Sequence, residues 1–160
     1  MEEKQPYTLQ EAERHFAKSI NGRVWELLDK PDRTAPEDEL MLDAAYASCY
    51  HWLQVGTGLE HQRGEWLIAR VYTVLGVQAE ALRHASRCLE LTQQYAPLMQ
   101  DFDKAFAFEG VARANALAGN HEAAAQYRRL AAEAGDRIAD AEDKNIFVGD
   151  FKGGNWYGVK

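Results

Sequence analysis

Four residues near the middle of the chain carry side chains that could act on a small molecule: His51, Trp52, His61 and Glu65. An imidazole beside a carboxylate can exchange a proton with a bound ligand, and an indole ring can cover the ligand's apolar part. Antiparallel packing of the flanking helices across the turn Gly56–Gly58 would bring the two pairs together. A buried, hydrogen-bonded histidine explains the same residues without any ligand. A small-molecule-binding or enzymatic site is therefore the alternative interpretation of this sequence.

The other residue types that support catalysis are not arranged for it. The five histidines include no pair at the i, i+4 spacing of a helical zinc site, and no His-Glu-x-x-His motif occurs. Cys49 and Cys88 would need a neighbouring base and a lowered thiol pKa to act as nucleophiles, and the sequence shows neither. The Gly153-Gly154 pair follows no predicted strand and precedes no predicted helix, unlike a phosphate-binding loop. We expect no metal, no cofactor and no enzymatic activity.

The composition favours an acidic cytoplasmic domain. The 160 residues contain 18 Lys and Arg against 25 Asp and Glu, which gives a net charge of −7. Nonspecific nucleic-acid binding depends on neutralising phosphates, so we expect no nucleic-acid partner. No apolar run is long enough to span a membrane, and Met1–Gln5 lack the apolar stretch of a secretory signal. Two cysteines do not form a disulfide framework, which fits a reducing compartment.

Helix-start signals predict an all-α fold of about seven helices arranged as antiparallel hairpins. Capping boxes occur at Thr8–Glu11, Thr34–Glu37 and Thr57–Glu60, where a threonine hydroxyl accepts from an amide and a glutamate reaches back. Prolines are few, and alternating runs of β-branched residues are missing. The helix after Thr8 is predicted to end at Ile20, because Asn21-Gly22 interrupts its pattern before a short helix around Trp25.

We expect a single domain over residues 1–160. It would comprise an N-terminal helical cap (7–55), two hairpins (57–97 and 101–142) and a tail (143–160). The last helix is predicted to begin near Asn120 and to run past Gly135 to about Ala141. Glycines and aromatic residues predict no helix in the tail.

The two hairpins repeat a pattern of small residues. Gly119 lies 43 residues after Gly76, and the same shift superposes four further pairs: Ala69 on Ala112, Leu75 on Ala118, Ala81 on Ala124, and Cys88 on Ala131. Small residues at these points allow two antiparallel helices to approach closely. A glycine at each helix end suits the left-handed conformation that terminates many helices. The repeat therefore has a packing reason.

This pattern resembles the tetratricopeptide repeat (TPR) family over about residues 62–134. The residues that carry the resemblance are Ile68, Ala69, Tyr72, Gly76, Ala81, Ala85 and Cys88 in one copy, and Phe108, Val111, Ala112, Gly119, Asn120, His121, Glu122, Ala124 and Ala131 in the other. The family's usual proline is absent from both copies, and Arg128 stands where a large apolar residue is usual. The segment Trp25–Trp52 also looks like uncharacterised bacterial proteins of similar size, which implies no activity.

The resemblance implies a right-handed superhelix with a groove lined by the first helix of each pair, and a non-catalytic protein–protein interaction module that binds a peptide or protein segment there. By repeat position the groove would include Arg63, Trp66, Arg70, Phe106, Glu109 and Arg113. Arg70 and Arg113 hold the same repeat position, and guanidinium groups bind carboxylates in two-point fashion, so we expect an acidic peptide or a small acidic ligand. The competing interpretation is that both arginines pair with Glu60, Glu65 or Glu109 on a solvated face.

The tail contains Phe151, Trp156 and Tyr157, which are costly to leave in water. One interpretation is that the tail folds back and caps its own helices, as the ends of repeat proteins require. The other is that it docks into the groove of another subunit and forms a homo-oligomer.

Overall fold

The computed structural model describes residues 6–160, so Met1–Gln5 and the expectation about a secretory signal lie outside it. The all-α prediction is confirmed: over the described residues the chain forms seven α-helices and one short 3-10 helix. They are α1 (Leu9–Leu28), α2 (Ala35–Val55), α3 (Gly58–Val74), α4 (Gln78–Gln94), the 3-10 helix (Ala96–Leu98), α5 (Asp101–Leu117), α6 (His121–Asp136) and α7 (Ala141–Lys152).

Consecutive helices pair as hairpins. The most extensive contacts join α1 to α2, α3 to α4, and α5 to α6. Between the hairpins, α2 contacts α3 and α4 contacts α5, while α3 also touches α5 directly. The last helix, α7, lies against α5 and α6. This order places α3 and α5, the helices that carry the predicted groove residues, side by side.

Three of the predicted helix starts and two of the predicted ends are confirmed. Thr8, Thr34 and Thr57 each form a complete capping box with the glutamate three residues later. Gly76 and Gly119 have φ angles of 76° and 81°. At the ends of α3 and α5 the amide of the glycine donates to the carbonyl three residues back, and the next amide donates to the carbonyl five residues back, as in a Schellman motif. The 43-residue repeat is therefore also a repeat of backbone geometry.

The repeated small residues lie at the helix contacts. Ala69, Ala112, Ala81, Ala124, Cys88 and Ala131 are each at most 1% exposed. Larger side chains fill the core around them, including Leu27, Met41, Leu67, Ile68 and Val71. Burial of these apolar side chains stabilises the hairpins by roughly 1.5–3 kcal/mol for each large residue.

The predicted break in the first helix is wrong, because α1 runs without interruption from Leu9 to Leu28. Ala17, Val24 and Leu27 are buried on one face of this helix, on both sides of Gly22. A glycine in a helix interior costs only about 1 kcal/mol, which is less than the burial of one large apolar side chain contributes. Packing across Gly22 therefore overrides the local signal.

The predicted end of the last repeat helix and the helix-free tail are also wrong. α6 ends at Asp136, and α7 begins at Ala141 and continues through Phe147 to Lys152. Phe147 is 2% exposed, and its ring occupies the space beside Gly135, where an added Cβ would lie 2.3 Å from the ring. Asp140 caps α7, because its Oδ1 accepts from the Asp143 amide at 2.8 Å. The position of the turn depends on the contact between Phe147 and Gly135, which no local sequence pattern predicts.

Candidate ligand-binding surface

The predicted groove residues lie together on α3 and α5, on a surface that we call the inner face. It has a charged half, built around Glu109, and an aromatic pocket beside it, built around Trp66. Three of the predicted residues converge on Glu109: Trp66 Nε1 donates to Oε2 at 3.1 Å, Arg70 Nη1 donates to Oε1 at 3.0 Å, and Arg113 Nε donates to Oε1. Phe106 packs edge-on against Trp66, with 5.1 Å between ring centroids.

Glu109 and Arg113 form a buried ion pair. Glu109 is 0% exposed and Arg113 is 2% exposed. Burial raises the pKa of Glu109 and lowers the pKa of Arg113, because each charged form loses its hydration. The opposite charges and the hydrogen bonds between them act against both shifts. Each residue therefore depends on the other for compensation of its charge.

A carboxylate from α7 completes the charged half. Asp150 Oδ1 accepts from Arg70 Nη2 at 3.0 Å, while Nη1 of the same arginine binds Glu109. The charged half thus contains two arginines and two carboxylates. The pairing of both arginines with Glu109 agrees with the competing interpretation of the sequence, but the pairs lie in the interior and not on a solvated face.

The residues after α7, Gly153–Lys160, cover the charged half, and we call them the C-terminal segment. Arg113 Nη1 donates to the Asn155 carbonyl at 3.1 Å, and Nη2 donates to the carbonyls of Asp150 and Gly153 at 2.7 and 3.0 Å. The Tyr157 hydroxyl donates to the Thr73 carbonyl on α3 at 2.9 Å. The tail is thus folded onto its own chain in this structure, and Arg113 is not available to an acidic partner.

Aromatic and cationic side chains hold the C-terminal segment in place. The indole of Trp156 lies over Arg113 and Arg128, at 4.1 and 4.5 Å from their guanidinium carbons. Its Nε1 donates to the Phe151 carbonyl at 2.9 Å, and Arg128 Nη1 donates to the Val159 carbonyl at 3.1 Å. Sequence reasoning missed Arg128 and Asp150 as parts of this surface. The available signal was an arginine at a repeat position where apolar residues are usual.

The aromatic pocket next to the charged half is open. It has a volume of about 230 Å³ and lies between α1, α3, α5 and α7. Its lining residues are Asn21, Trp25, Gln62, Arg63, Trp66, Leu67, Phe102, Asp103, Phe106 and Ile146. The rings of Trp25 and Trp66 are nearly parallel, with centroids 5.7 Å apart. Trp25 is 36% exposed and Ile146 is 51% exposed, so apolar surface at the mouth faces solvent.

Arg63 provides a positive charge at this pocket. Its Nε donates to Asp103 Oδ1 at 2.8 Å, while half of the Arg63 side chain is exposed. Asp103 is buried, and its other oxygen accepts from the Gln100 amide at 3.0 Å at the start of α5. Asp103 therefore fixes the Arg63 stem, and within residues 6–160 the two Nη atoms of Arg63 make no hydrogen bond. They can bind a carboxylate that approaches the pocket.

The residues of the alternative site do not form one cluster. His51 Nδ1 pairs with Glu13 Oε2 at 2.5 Å, and Trp52 lies beneath Arg14, 6.0 Å from its guanidinium carbon. His61 Nε2 lies 3.6 Å from Glu65 Oε1. The structure therefore brings His61 and Glu65 together, and places His51 with a different carboxylate.

Glu65 instead belongs to a chain of hydrogen bonds that sequence reasoning missed. Its Oε2 lies 2.5 Å from His84 Nδ1, and His84 Nε2 lies 2.9 Å from the Tyr46 hydroxyl. That hydroxyl is in turn 3.0 Å from the hydroxyl of Tyr72. Partial burial and the hydrogen bond with Tyr72 raise the pKa of Tyr46.

The thiols are also unsuited to nucleophilic chemistry. Burial raises the pKa of Cys49 to about 12, and it raises the pKa of the fully buried Cys88 as well. Among the residues that the structure describes, no group of three or more His, Cys, Asp or Glu side chains is placed to hold a metal ion. None of the helices formed by residues 6–160 is both long and apolar enough to cross a membrane.

Comparisons with protein-family models, with curated proteins and with solved structures find no match to this chain.

Proposed function

We propose that this protein is a non-catalytic, TPR-like interaction module that acts in the cytoplasm and binds a segment of another protein at the aromatic pocket. The observation that carries the proposal is an open pocket with Trp25 and Trp66 in its wall and a half-exposed Arg63 beside it. Tryptophan and arginine are the residue types that most often dominate binding energy at protein interfaces. The repeated helical hairpins support the assignment to a binding scaffold.

The pocket favours a particular kind of segment. At about 230 Å³ it is smaller than the roughly 300–1,000 Å³ typical of small-molecule and cofactor sites. It suits one or two apolar side chains of a peptide. A carboxylate next to them in the peptide would reach the Nη atoms of Arg63. We therefore propose a short segment in which an aromatic or large aliphatic residue is flanked by aspartate or glutamate.

A peptide-display experiment tests this proposal. Peptides that carry an apolar residue beside an acidic one are selected on the purified protein, and their affinities are measured by fluorescence polarisation. Trp25→Ala and Arg63→Gln should each weaken binding at least about tenfold, because both residues contact the ligand. Arg87→Gln is the matched control, since within residues 6–160 Arg87 pairs only with the exposed Glu90 of its own helix. Equal affinities for all four proteins would contradict the proposal.

The alternative proposal, a small-molecule or enzymatic site at His51, Trp52, His61 and Glu65, has weaker support. His61 lies close to Glu65, whereas His51 pairs with Glu13, and Glu65 is already bonded to the buried His84. A substrate would have to displace that hydrogen bond before it could use the carboxylate. Binding of a small molecule that is lost in Glu65→Gln and retained in Trp25→Ala would favour this alternative.

A further inference from the structure

The link between α6 and α7 differs from every other link between consecutive α-helices of the described chain. Each of the other five contains a proline or a glycine that separates the two helices: Pro31, Gly56, Gly76, Pro97 and Gly119. The link of residues 137–140 contains neither, and no residue in it has a positive φ angle. Nothing in its own backbone chemistry prevents it from becoming helical.

Contacts of α7 keep this link bent. Ile138 is 5% exposed, Phe147 fills the space beside Gly135, and Asp140 caps the first turn of α7. The contact between Phe147 and Gly135 requires α7 to lie on the α5–α6 hairpin. When α7 leaves that position, residues 121–152 can form one continuous helix, because the sequence around the link contains good helix formers such as Ala134, Ala139 and Ala141.

The inner face recognises α7 and the C-terminal segment by chemistry that another copy of the chain also carries. Arg70 binds the Asp150 carboxylate, Arg113 binds three main-chain carbonyls, and Trp156 stacks on Arg113. None of these contacts depends on the covalent connection through residues 137–140. The same contacts can therefore form between two chains.

We infer that the inner face is an interaction surface for a second copy of this chain, through exchange of α7 and the C-terminal segment. In the exchanged dimer the link of residues 137–140 is helical in both chains. Each chain then places its Asp150 and Trp156 on the Arg70 and Arg113 of the other. This inference concerns the charged half of the inner face; in the exchanged dimer Ile146, which lines the aromatic pocket, is supplied by the α7 of the other chain.

A substitution at the link tests the exchange. Asp140→Ala removes the cap that only the bent form uses, whereas Asp140→Asn keeps an equivalent cap. Loss of the cap shifts the equilibrium between the bent and the helical link about fivefold toward the helical form. Because a dimer contains two such links, Asp140→Ala should raise the dimerisation constant about 25-fold. Asp140→Asn should leave the constant near the wild-type value. Light scattering coupled to size-exclusion chromatography, over a series of concentrations, measures both constants.

A pair of charge exchanges identifies the contact. Arg70→Asp alone and Asp150→Arg alone each place like charges together, both within one chain and between two identical chains. In a dimer of one chain of each variant, both inner faces again carry opposite charges at these positions. Native mass spectrometry of the mixed variants, one of them isotope-labelled, should therefore show the mixed dimer, while each variant alone stays monomeric. Mixing Arg87→Asp with Glu90→Arg, an exposed pair outside the inner face, is the control: both variants keep the wild-type inner face, so each variant alone and the mixture should dimerise to the same extent as the wild type.

The inference would be wrong if two results were obtained together. The first is that Asp140→Ala stays monomeric at its highest soluble concentration. The second is that the mixed charge variants, with helical circular dichroism like that of the wild type, form no mixed dimer.

Discussion

The indole ring of Trp156 lies over the guanidinium group of Arg113, with 4.1 Å between the ring centroid and the guanidinium carbon. Trp156 belongs to the C-terminal segment, and Arg113 lies near the end of α5. A cation–π contact that excludes water contributes about 2 kcal/mol. Together with its hydrogen bonds, this contact explains why Arg113 can be buried. Its Nε donates to Glu109, its two Nη atoms donate to three main-chain carbonyls, and the Trp156 ring covers the plane of the guanidinium group.

Gly154, which lies against Arg113, should tolerate substitution by alanine less well than Gly158 does. Gly154 and Gly158 both have positive φ angles, 71° and 85°, so alanine at either position should cost about 1–2 kcal/mol in backbone strain. An added Cβ at Gly154 would lie 2.9 Å from Arg113 Nη1, whereas one at Gly158 meets nothing within 4 Å. Gly154→Ala should therefore lower the free energy of unfolding more than Gly158→Ala does in urea titrations. Equal losses would mean that Arg113 shifts without cost.

Removal of the buried arginine should be strongly destabilising. Arg113→Met leaves Glu109 buried with one arginine partner fewer and leaves three carbonyls without their donor, so we expect a loss of about 3–5 kcal/mol in the free energy of unfolding. Arg87→Met, which removes an exposed ion pair, should cost at most about 1 kcal/mol. Addition of Glu109→Gln to Arg113→Met should restore part of the loss. A loss below 1 kcal/mol for Arg113→Met would contradict a buried charge pair.

Two helical glycines should respond to alanine in opposite directions. Gly22 is exposed within α1 and a Cβ there meets nothing within 4 Å, so Gly22→Ala should raise the free energy of unfolding by about 0.5–1 kcal/mol. Gly64 is buried, and a Cβ there would lie 2.8 Å from Cys49 Sγ. Gly64→Ala should therefore cost about 1–3 kcal/mol. Adding Cys49→Ala should relieve the clash, and thermal melting of the double variant measures that relief.

The protein should lose stability at alkaline pH partly through its buried thiols. Burial raises the pKa of Cys49 to about 12 from an ordinary value near 9. Between these values the unfolded chain releases the thiol proton and the folded chain retains it, so rising pH favours unfolding. The slope is at most about 1.4 kcal/mol per pH unit for each thiol. Urea titrations at pH 8 and pH 10 should show a smaller decline for Cys49→Ala than for the wild type. An identical decline would show that Cys49 does not contribute.

A test of thiol accessibility follows from the same burial. Neither Cys49 nor Cys88 should react with a thiol reagent at pH 8 in the folded state, and both should react once the protein is unfolded in urea. Fast reaction in the folded state would contradict the burial of both side chains.

Local signals predicted the parts of this fold that local chemistry determines. The capping boxes at Thr8, Thr34 and Thr57 mark helix starts because a hydroxyl and a carboxylate within four residues satisfy the first amides. Gly76 and Gly119 mark helix ends because only glycine takes their φ angles at low cost. In these places the sequence and the backbone carry the same information.

Tertiary contacts explain where the predictions were wrong. Gly22 lies within a helix because α1 packs on both sides of it, and α7 exists because Phe147 fills the space beside Gly135. The repeat position correctly grouped Arg70 with Arg113, and it could not reveal that Asp150 reaches them from 80 residues beyond Arg70. The aromatic pocket was predicted only in part: Trp66, Phe106 and Arg63 were chosen, while Trp25 lies on α1, which was predicted to break at Asn21-Gly22.

The position of the C-terminal segment also orders events during protein synthesis. The ribosome releases α3 and α5 before it releases Asp150 and Trp156. In that interval Arg113 has Glu109 but none of its three carbonyl partners, and the charged half of the inner face is open to water and to chaperones. A nascent chain therefore displays a surface that the folded protein covers, and the later arrival of the C-terminal segment ends that exposure.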